Sequence, residues 1–268
     1  MLRYISGIST LFLMCSAVQA GTLCTLIADA HTQEVIVKKG ECSQRVTPAS
    51  TFKIALSLMG YDSGFLKDAT TPTLAYKTGD PDWGGAMWLR PTNPNDWIKY
   101  SVVWYSQRIT HHLGEPRVSD YAQAFGFGNA DISGDPGKQN GLDRAWISSS
   151  LKISPVEQVD FLTKLVNRQL PVSQHAVEMT SRITEVAQLP GGWEVHGKTG
   201  TAFPRDANGA SDEAHGYGWF VGWATKGNQT LVFTRLRQDE QADPMPAGKR
   251  VRDEILAEWP EITASYSN

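Results

Sequence analysis

The chain has 268 residues, of which 41% are hydrophobic and 20% are charged, and its formal net charge is −3. This composition is typical of a globular protein with a sizeable core, and the absence of a basic run argues against nucleic acid as a partner. The length fits one domain, or one sheet domain with an inserted helical lobe at roughly 60–190.

The first twenty residues have the pattern of a secretory signal peptide. Arg3 supplies the charged start, the apolar stretch 5–15 is too short to span a bilayer, and Ala20 ends a small-residue cleavage site. We therefore expect residues 1–20 to be removed and residues 21–268 to form one domain in the periplasm, without attachment to a membrane.

Removal of the signal leaves two cysteines, Cys24 and Cys42. A lone pair in an exported protein predicts one disulfide. The segments 24–28 and 34–37 are predicted strands, and a turn over 29–33 between them makes a hairpin that brings the two cysteines together. Two free buried thiols are the alternative.

After the hairpin, the predicted elements follow one another along the chain. A helix begins near Ser50, and a loop-rich region covers 61–95. The later helices are recognised by caps and apolar periodicity. They are one that leads from 96–100 through Ser101 to Gly114, one carrying Val118 to Phe125, one beginning at Ser154 with Pro155 and Glu157, one after Ser173 with Ala176, Val177, Ile183 and Val186 inward, and a last one over about 248–259.

Three strands are predicted between the fourth of these helices and the last one, at 193–200, 217–224 and 230–236. The order is thus strands, a long helical block, more strands and a final helix. Nothing alternates strand and helix as parallel sheets require. The expected fold class is α/β of the α+β type, an antiparallel sheet covered by terminal helices and joined to a helical lobe.

The tetrad Ser50-Thr51-Phe52-Lys53 is the first candidate for chemistry. Residues three apart share a helix face, so Ser50 and Lys53 place a hydroxyl beside an amine. Serine is a weak nucleophile until a neighbour takes its proton, and a lysine in apolar surroundings loses its charge and acts as a base. Because S-x-x-K recurs by chance, a helix cap and a solvated cation are the alternative.

Two further motifs follow at a distance. Lys198-Thr199-Gly200 lies in a predicted edge strand and offers a charge, a hydroxyl and room for a close backbone approach. The same tripeptide at 77–79 lies in the loop-rich region, which favours the later copy. Between the serine and this strand, Ser101-Val102-Val103 takes the place where a second hydroxyl is needed, although Ser101 is also a candidate helix N-cap.

Together these motifs resemble those of the class D (OXA-type) serine β-lactamases. The likeness runs from about Cys24 to the last helix and rests on five features of the sequence. The chain departs from the family at Phe127, where tyrosine is usual. The five features are Ser50-Thr51-Phe52-Lys53, Ser101-x-Val103, Phe127-Gly128-Asn129, Trp146 and Lys198-Thr199-Gly200.

The resemblance implies that Ser50 attacks a β-lactam carbonyl and forms an acyl-enzyme. It implies that Lys53 reacts with carbon dioxide to give N6-carboxylysine, a general base held by the indole N–H of Trp146 in a pocket that includes Val103. Carbon dioxide or bicarbonate is then needed, but no separate cofactor. The backbone N–H groups of Ser50 and Thr201 are expected to form the oxyanion hole, and Ser101 to relay a proton to the leaving nitrogen.

The resemblance also implies a site for the substrate carboxylate, made of Lys198, Thr199, Gly200 and an arginine of the last helix. Arg250 and Arg252 both qualify. Arg252 is preferred because Ile255 and Trp259 follow it at +3 and +7, as in the family's helix. The alternative for Arg252 is a surface ion pair, which contributes about 0 to 1 kcal/mol.

Two other functions share these motifs: a penicillin-binding D,D-peptidase, which stays acylated, and a β-lactam sensor domain, which is tethered by membrane helices. The six histidines show no H-x-H or H-x-x-x-H spacing, which disfavours a metal-dependent β-lactamase. We therefore expect small-molecule β-lactams as partners, no metal, and either a monomer or a homodimer; the preferred β-lactams stay open.

Overall fold

A computed structural model describes residues 21–206 and 208–264. The predicted signal peptide lies outside the described residues. The strands, helices and 3-10 turns follow one another in chain order. They are β1 Thr22–Asp29, β2 Val35–Gly40, a 3-10 turn Ala49–Phe52, α1 Lys53–Asp62, a 3-10 turn Ala86–Leu89, α2 Pro94–Tyr100, α3 Val103–Leu113, α4 Glu115–Phe125, α5 Gly141–Arg144, α6 Pro155–Val166, α7 Gln174–Ile183, β3 Glu185–Leu189, β4 Trp193–Ala202, a 3-10 turn Glu213–His215, β5 Tyr217–Lys226, β6 Gln229–Gln238 and α8 Ala247–Ala264.

The strands form one antiparallel sheet in the order β2-β1-β6-β5-β4-β3. The predicted mixed fold is therefore confirmed. Short turns join β1 to β2 and β5 to β6, whereas the path from β2 to β3 passes through helices α1 to α7. The first and the last strand along the chain are neighbours in the sheet, because β1 pairs with β6.

The first hairpin carries the disulfide that the sequence predicts. Cys24 lies on β1 opposite Gly40 at the end of β2. Cys42 follows Gly40 by two residues and is bonded to Cys24, with a Cα–Cα separation of 5.1 Å. Both cysteines are buried.

Apolar side chains cover both faces of the sheet. On one face α8 packs Val251, Ile255 and Trp259 against strand residues such as Phe220 and Phe233. On the other face helices α1 to α7 and the segments between them share a larger core with the sheet. Each fully buried large apolar side chain contributes about 1.5–3 kcal/mol, so both faces stabilise the sheet strongly.

Helix α6 begins as its sequence predicts. The Ser154 hydroxyl accepts from the backbone N–H of Glu157, the Glu157 carboxylate accepts from the backbone N–H of Ser154, and Pro155 occupies the first turn. This capping box satisfies two N–H groups that a helix start otherwise leaves unpaired.

Two local expectations were wrong. Val186 was expected on the inner face of the helix after Ser173, but α7 ends at Ile183 and Val186 lies in β3 with more than a third of its surface exposed. The helix expected to run from 96–100 through to Gly114 is two helices, because Ser101 adopts a left-handed conformation with φ of 59° between α2 and α3.

Candidate active site

Ser50 and Lys53 meet at the start of α1. Ser50 lies in the 3-10 turn that runs directly into the helix, and Lys53 is the first helical residue. The residue before the serine, Ala49, has a φ of 50°, which turns the chain sharply in front of Ser50. The Lys53 Nζ donates to the Ser50 Oγ at 3.2 Å. The structure thus brings together the hydroxyl and the amine that the tetrad predicts.

Lys53 is completely buried, with 0% of its surface exposed. Burial, with the nearby charge of Lys198 as the second cause, holds the pKa of Lys53 well below its usual value. Desolvation penalises an ammonium group, so the amine is more readily neutral here than in water. A neutral amine has a lone pair with which it can accept a proton or bond to an electrophile.

Trp146 lies just after α5 and is 1% exposed. Its ring centroid lies 5.7 Å from that of Phe52, the neighbour of Lys53 in the chain. The indole N–H is buried and has no hydrogen-bond acceptor among the residues described. A buried donor without an acceptor costs about 1–3 kcal/mol, so this N–H can donate to a group that the described residues do not supply.

Ser101 is not the helix N-cap that was considered as its alternative role. It ends α2, while Val102 holds the N-cap position of α3. The left-handed backbone at Ser101 breaks the helix at this point. Val103, the first residue of α3, is buried, and both Ser101 and Val103 face one cavity.

Strand β4 carries Lys198-Thr199-Gly200 and is an edge strand over part of its length only. It pairs with β5 from Glu194 to Ala202, whereas β3 pairs with it only as far as His196. Among the residues described, the half of β4 that carries Lys198 to Gly200 therefore has no strand neighbour on that side. The predicted edge position holds for this half, while β2 and β3 are the edge strands of the whole sheet.

Lys198 is 5% exposed, and its Nζ donates to the Thr199 carbonyl oxygen at 3.1 Å. Burial, with the charge of Arg252 as the second cause, lowers the pKa of Lys198 to about 7. A pKa near neutrality makes its charge sensitive to small changes in pH or to a bound anion.

Gly200 allows a close contact within the protein. A Cβ at this position would lie 2.9 Å from the Pro48 carbonyl oxygen, 3.1 Å from a methyl carbon of Thr51 and 3.3 Å from the Ala49 Cβ. The glycine therefore lets the Ser50 turn approach β4, a contact that the sequence did not predict. Its expected role in the approach of a substrate stays a prediction.

The tripeptide Lys77-Thr78-Gly79 has a different environment. All three residues are exposed, in the loop between α1 and α2, and the Lys77 backbone N–H donates to Asp80. This copy of the motif forms a surface turn, whereas the copy on β4 lies against the segment that carries Ser50.

One cavity of about 460 Å³ collects five of the predicted residues. Ser50, Ser101, Val103, Thr199 and Thr201 lie in its wall. The other wall residues are Ala49, Trp83, Trp88, Ile147, Phe203, Asp243, Pro244, Pro246 and Lys249.

Neither candidate arginine lies in this wall. Arg250 is bound to Asp239 at 2.5 Å and is mostly buried, while Arg252 contacts its neighbour Asp253 at 2.7 Å. Lys249 lies in the wall and is exposed. Sequence reasoning missed Lys249 because it examined only the arginines of the helix.

Phe127, the departure from the family motif, is completely buried between Phe52 and Phe161, with ring centroids 5.1 and 5.2 Å away. The following Gly128 has a φ of 59°, and a Cβ there would lie 2.0 Å from the Lys152 carbonyl oxygen. The turn thus requires glycine, and the phenylalanine packs behind the Lys53 helix without a hydroxyl to pair.

The histidines take part in local contacts. His196 stacks on Trp223 and bonds to the Ser181 carbonyl oxygen and to Glu194, while His111 contacts Asp143. In the part of the chain that the structure describes, no group of three or more His, Cys, Asp or Glu could hold a metal ion. Nor does any helix in 21–206 or 208–264 have the length and apolarity needed to cross a membrane.

The chain is similar to known proteins over most of its length. The penicillin-binding protein transpeptidase domain family matches residues 23–261. Beta-lactamase OXA-9 from Klebsiella pneumoniae is 42% identical over 242 residues, which are 89% of this chain and 87% of that protein. Beta-lactamase OXA-1 from Escherichia coli is 38% identical over 213 residues, 78% of this chain and 74% of that protein. The crystal structure of OXA-427, a class D beta-lactamase, superposes with a TM-score of 0.84 at 46% identity and covers 89% of this chain and 97% of that one.

Proposed function

Because the chain belongs to the class D serine β-lactamases, we propose that it hydrolyses the amide of penicillin-type β-lactams through an acyl-enzyme on Ser50 and so confers resistance to them. The observation that carries the proposal is the Ser50 Oγ at 3.2 Å from the Nζ of a fully buried Lys53, together with the unpaired indole N–H of Trp146, whose ring packs against Phe52. This arrangement pairs a nucleophile with a site for a base.

In the proposed reaction the Ser50 Oγ attacks the β-lactam carbonyl carbon and gives up its proton. The carbonyl oxygen becomes negative and accepts hydrogen bonds from the backbone N–H groups of Ser50 and Thr201. The ring C–N bond then breaks, and the nitrogen takes a proton that Ser101 relays. Water attacks the resulting ester, which releases the penicilloate-type product and restores the Ser50 hydroxyl.

Lys53 is proposed to be carboxylated. Its Nζ adds to carbon dioxide and releases one proton, a step that needs the neutral amine that burial favours. When present, the carbamate supplies a carboxylate base for both halves of the reaction. Trp146 donates its indole N–H to this group, and Val103 helps to exclude water from it.

The substrate carboxylate is proposed to bind Lys198, Thr199 and Gly200 of β4, with Arg252 on α8 adding charge. The ion pair of Arg250 with Asp239 disfavours that arginine as a ligand, and the effect of Arg252 on the Lys198 pKa supports its choice. Lys249, in the cavity wall, is a third cation that a carboxylate would meet.

The location and partners of the protein are part of the proposal. We infer export to the periplasm after cleavage at Ala20, with the mature protein beginning at Gly21, and a monomer or homodimer without membrane attachment. The Cys24–Cys42 disulfide supports an oxidising compartment. Intact mass of the protein recovered from the periplasm tests both the start residue and the bond.

The decisive experiment for the base is a carbon-13 spectrum after labelled bicarbonate is added. A carbamate resonance is expected in the wild-type protein and not in Lys53→Ala. Turnover should fall in degassed or acidic buffer, because protonation releases carbon dioxide, and added bicarbonate should restore it. Full activity without the resonance and without bicarbonate dependence would assign the base to another group.

Turnover separates this function from its two alternatives. A D,D-peptidase or a sensor domain would give one burst of product equal to the enzyme concentration and then stop, since its acyl-enzyme is stable. The proposed β-lactamase gives steady hydrolysis after any burst. A stoichiometric burst without further turnover, in bicarbonate-saturated buffer, contradicts the proposal.

A further inference from the structure

Thr47 precedes the nucleophile by three residues and is 6% exposed. Its hydroxyl donates to the Trp146 carbonyl oxygen at 2.9 Å and accepts from the Ser148 backbone N–H at 3.0 Å. One side chain thus holds the backbone on both sides of Ile147. These partners lie 99 and 101 residues from Thr47 in the chain.

The backbone of Thr47 is fixed in turn by the sheet. Its carbonyl oxygen accepts from the indole N–H of Trp219, a fully buried residue of β5, at 2.9 Å. Thr47 is therefore a rigid point between the sheet and the segment that carries Trp146.

The segment after Trp146 depends on this point. Ser148 has a φ of 52°, a left-handed conformation that residues other than glycine adopt at a cost of about 1–3 kcal/mol. Such a conformation persists only where the surroundings impose it. The bond from its N–H to Thr47 and the bond from its Oγ to the Phe203 carbonyl oxygen at 2.6 Å impose it here.

We propose that Thr47 is a positioning residue for the carboxylation of Lys53, and that it acts by fixing the backbone of Trp146 so that the indole N–H faces the Lys53 pocket. The inference rests on the proposed function of Trp146 and Lys53. Because Thr47 and Ser50 lie on one short segment, the tether also sets the position of Trp146 relative to the nucleophile.

The physical argument is one of placement. A hydrogen bond to a carbamate oxygen needs a donor–acceptor distance within a few tenths of an ångström of 2.9 Å. The indole has only two side-chain torsions, so its N–H follows the backbone of Trp146. Supporting groups that orient a ligand residue typically change affinity or activity about 10- to 100-fold when they are removed.

The test compares three variants in bicarbonate titrations. Thr47→Val keeps the shape of the side chain and removes the hydroxyl, Thr47→Ser keeps the hydroxyl, and Thr92→Val removes a hydroxyl that bonds to a loop carbonyl oxygen, that of Arg90, at a site 1% exposed. Measured quantities are the bicarbonate concentration for half-maximal turnover, the separate acylation and deacylation rates, and the carbamate resonance at fixed bicarbonate.

We expect Thr47→Val to need about 10- to 100-fold more bicarbonate and to accumulate acyl-enzyme, since deacylation slows more than acylation. Thr47→Ser should restore the wild-type titration, and Thr92→Val should leave it unchanged. A merely structural role would lower the melting temperature of Thr47→Val without moving the titration of its folded fraction.

A wild-type titration in folded Thr47→Val overturns the role of Thr47 while leaving the carbamate intact. A wild-type protein with no resonance and no bicarbonate dependence overturns the proposed base itself, and the role of Thr47 with it. If Thr47→Val does not fold, Thr47→Ala is titrated in its place, and an unchanged titration there counts against the proposal in the same way.

Discussion

The two faces of the sheet are built from similar apolar residues but treat polar groups differently. On the α8 face the long cations are paired: Arg235, with 8% of its side chain exposed, binds both oxygens of Glu258 at 2.9 and 2.6 Å. On the opposite face Lys53 and Lys198 are buried without a carboxylate partner among the residues described, and each has a lowered pKa.

This difference shows where the molecule gives up stability. A buried ammonium without a counter-ion is costly, and a protein retains one where chemistry requires it. On the α8 face Arg235 follows the usual rule that a buried charge is paired, whereas the cavity face departs from it at lysines that the family motif identifies. Matched substitutions on the two faces test this difference.

The largest effect is expected for Lys53→Met. Loss of the base should lower turnover about 10²- to 10⁴-fold and leave an acyl-enzyme on Ser50, which intact mass detects. The same variant should melt at a higher temperature in degassed buffer, because a buried amine is replaced by an apolar side chain of similar shape, with a gain of about 1–3 kcal/mol.

That gain in stability has a defined pH dependence. The folded pKa of Lys53 is lowered, so the unfolded chain binds the extra proton and the wild-type protein loses stability as the pH falls from the unfolded pKa towards the folded one. The gain should therefore be larger at pH 6 than at pH 9. Arg235→Met on the α8 face is the control: it should keep its activity and lose stability. An equal loss of activity in both variants would remove the distinction between the faces.

The next largest effect is expected at Trp146, and Trp259 is its control. Both tryptophans have a buried indole N–H without an acceptor among the described residues. Trp146→Phe should slow deacylation about 10²-fold, since the N–H would no longer support the base. Trp259→Phe, on the α8 face, should leave kinetics unchanged and alter stability only through packing. Single-turnover acylation and deacylation rates measure both, and equal rates in Trp146→Phe and the wild type would contradict the role of the indole.

A smaller effect concerns Lys198 and pH. With a pKa of about 7, Lys198 loses its charge as the pH rises through 7. The value of kcat/KM for a carboxylate-bearing β-lactam should therefore fall above pH 7. A bound substrate carboxylate stabilises the charged form of Lys198. The fall in kcat should therefore occur at a higher pH than the fall in kcat/KM. Lys198→Arg should abolish this pH dependence because arginine stays protonated. Lys77→Arg, in the exposed copy of the tripeptide, should keep the wild-type profile.

The smallest effect is expected on α8. Arg252→Ala should raise KM about 10-fold with little change in kcat, because one charged hydrogen bond contributes about 1.5–3 kcal/mol to binding. Arg250→Ala should mainly lower the melting temperature, through loss of its bond to Asp239. If Lys249→Ala raises KM and Arg252→Ala does not, the cation in the cavity wall replaces the arginine as the carboxylate ligand.

Local sequence patterns were enough to predict most of the helices and strands and the family to which the chain belongs. Caps, apolar periodicity and turn residues act within one or two turns of chain, so the Ser154 capping box, the two hairpins and the pairing of Ser50 with Lys53 were all predicted from neighbours. Local signals failed where packing prevails: the left-handed backbone at Ser101 splits a predicted helix, and Val186 pairs in β3 after α7 has ended.

The tertiary structure alone decided which distant groups meet. The bond from Thr47 to Trp146 crosses 99 residues, and the approach of β4 to the Ser50 turn depends on the missing Cβ of Gly200. It also distinguished the buried Lys198 from the exposed Lys77, which share one tripeptide. Burial, and with it the pKa of an amine, arises from the whole packed core, and no short window of sequence contains that information.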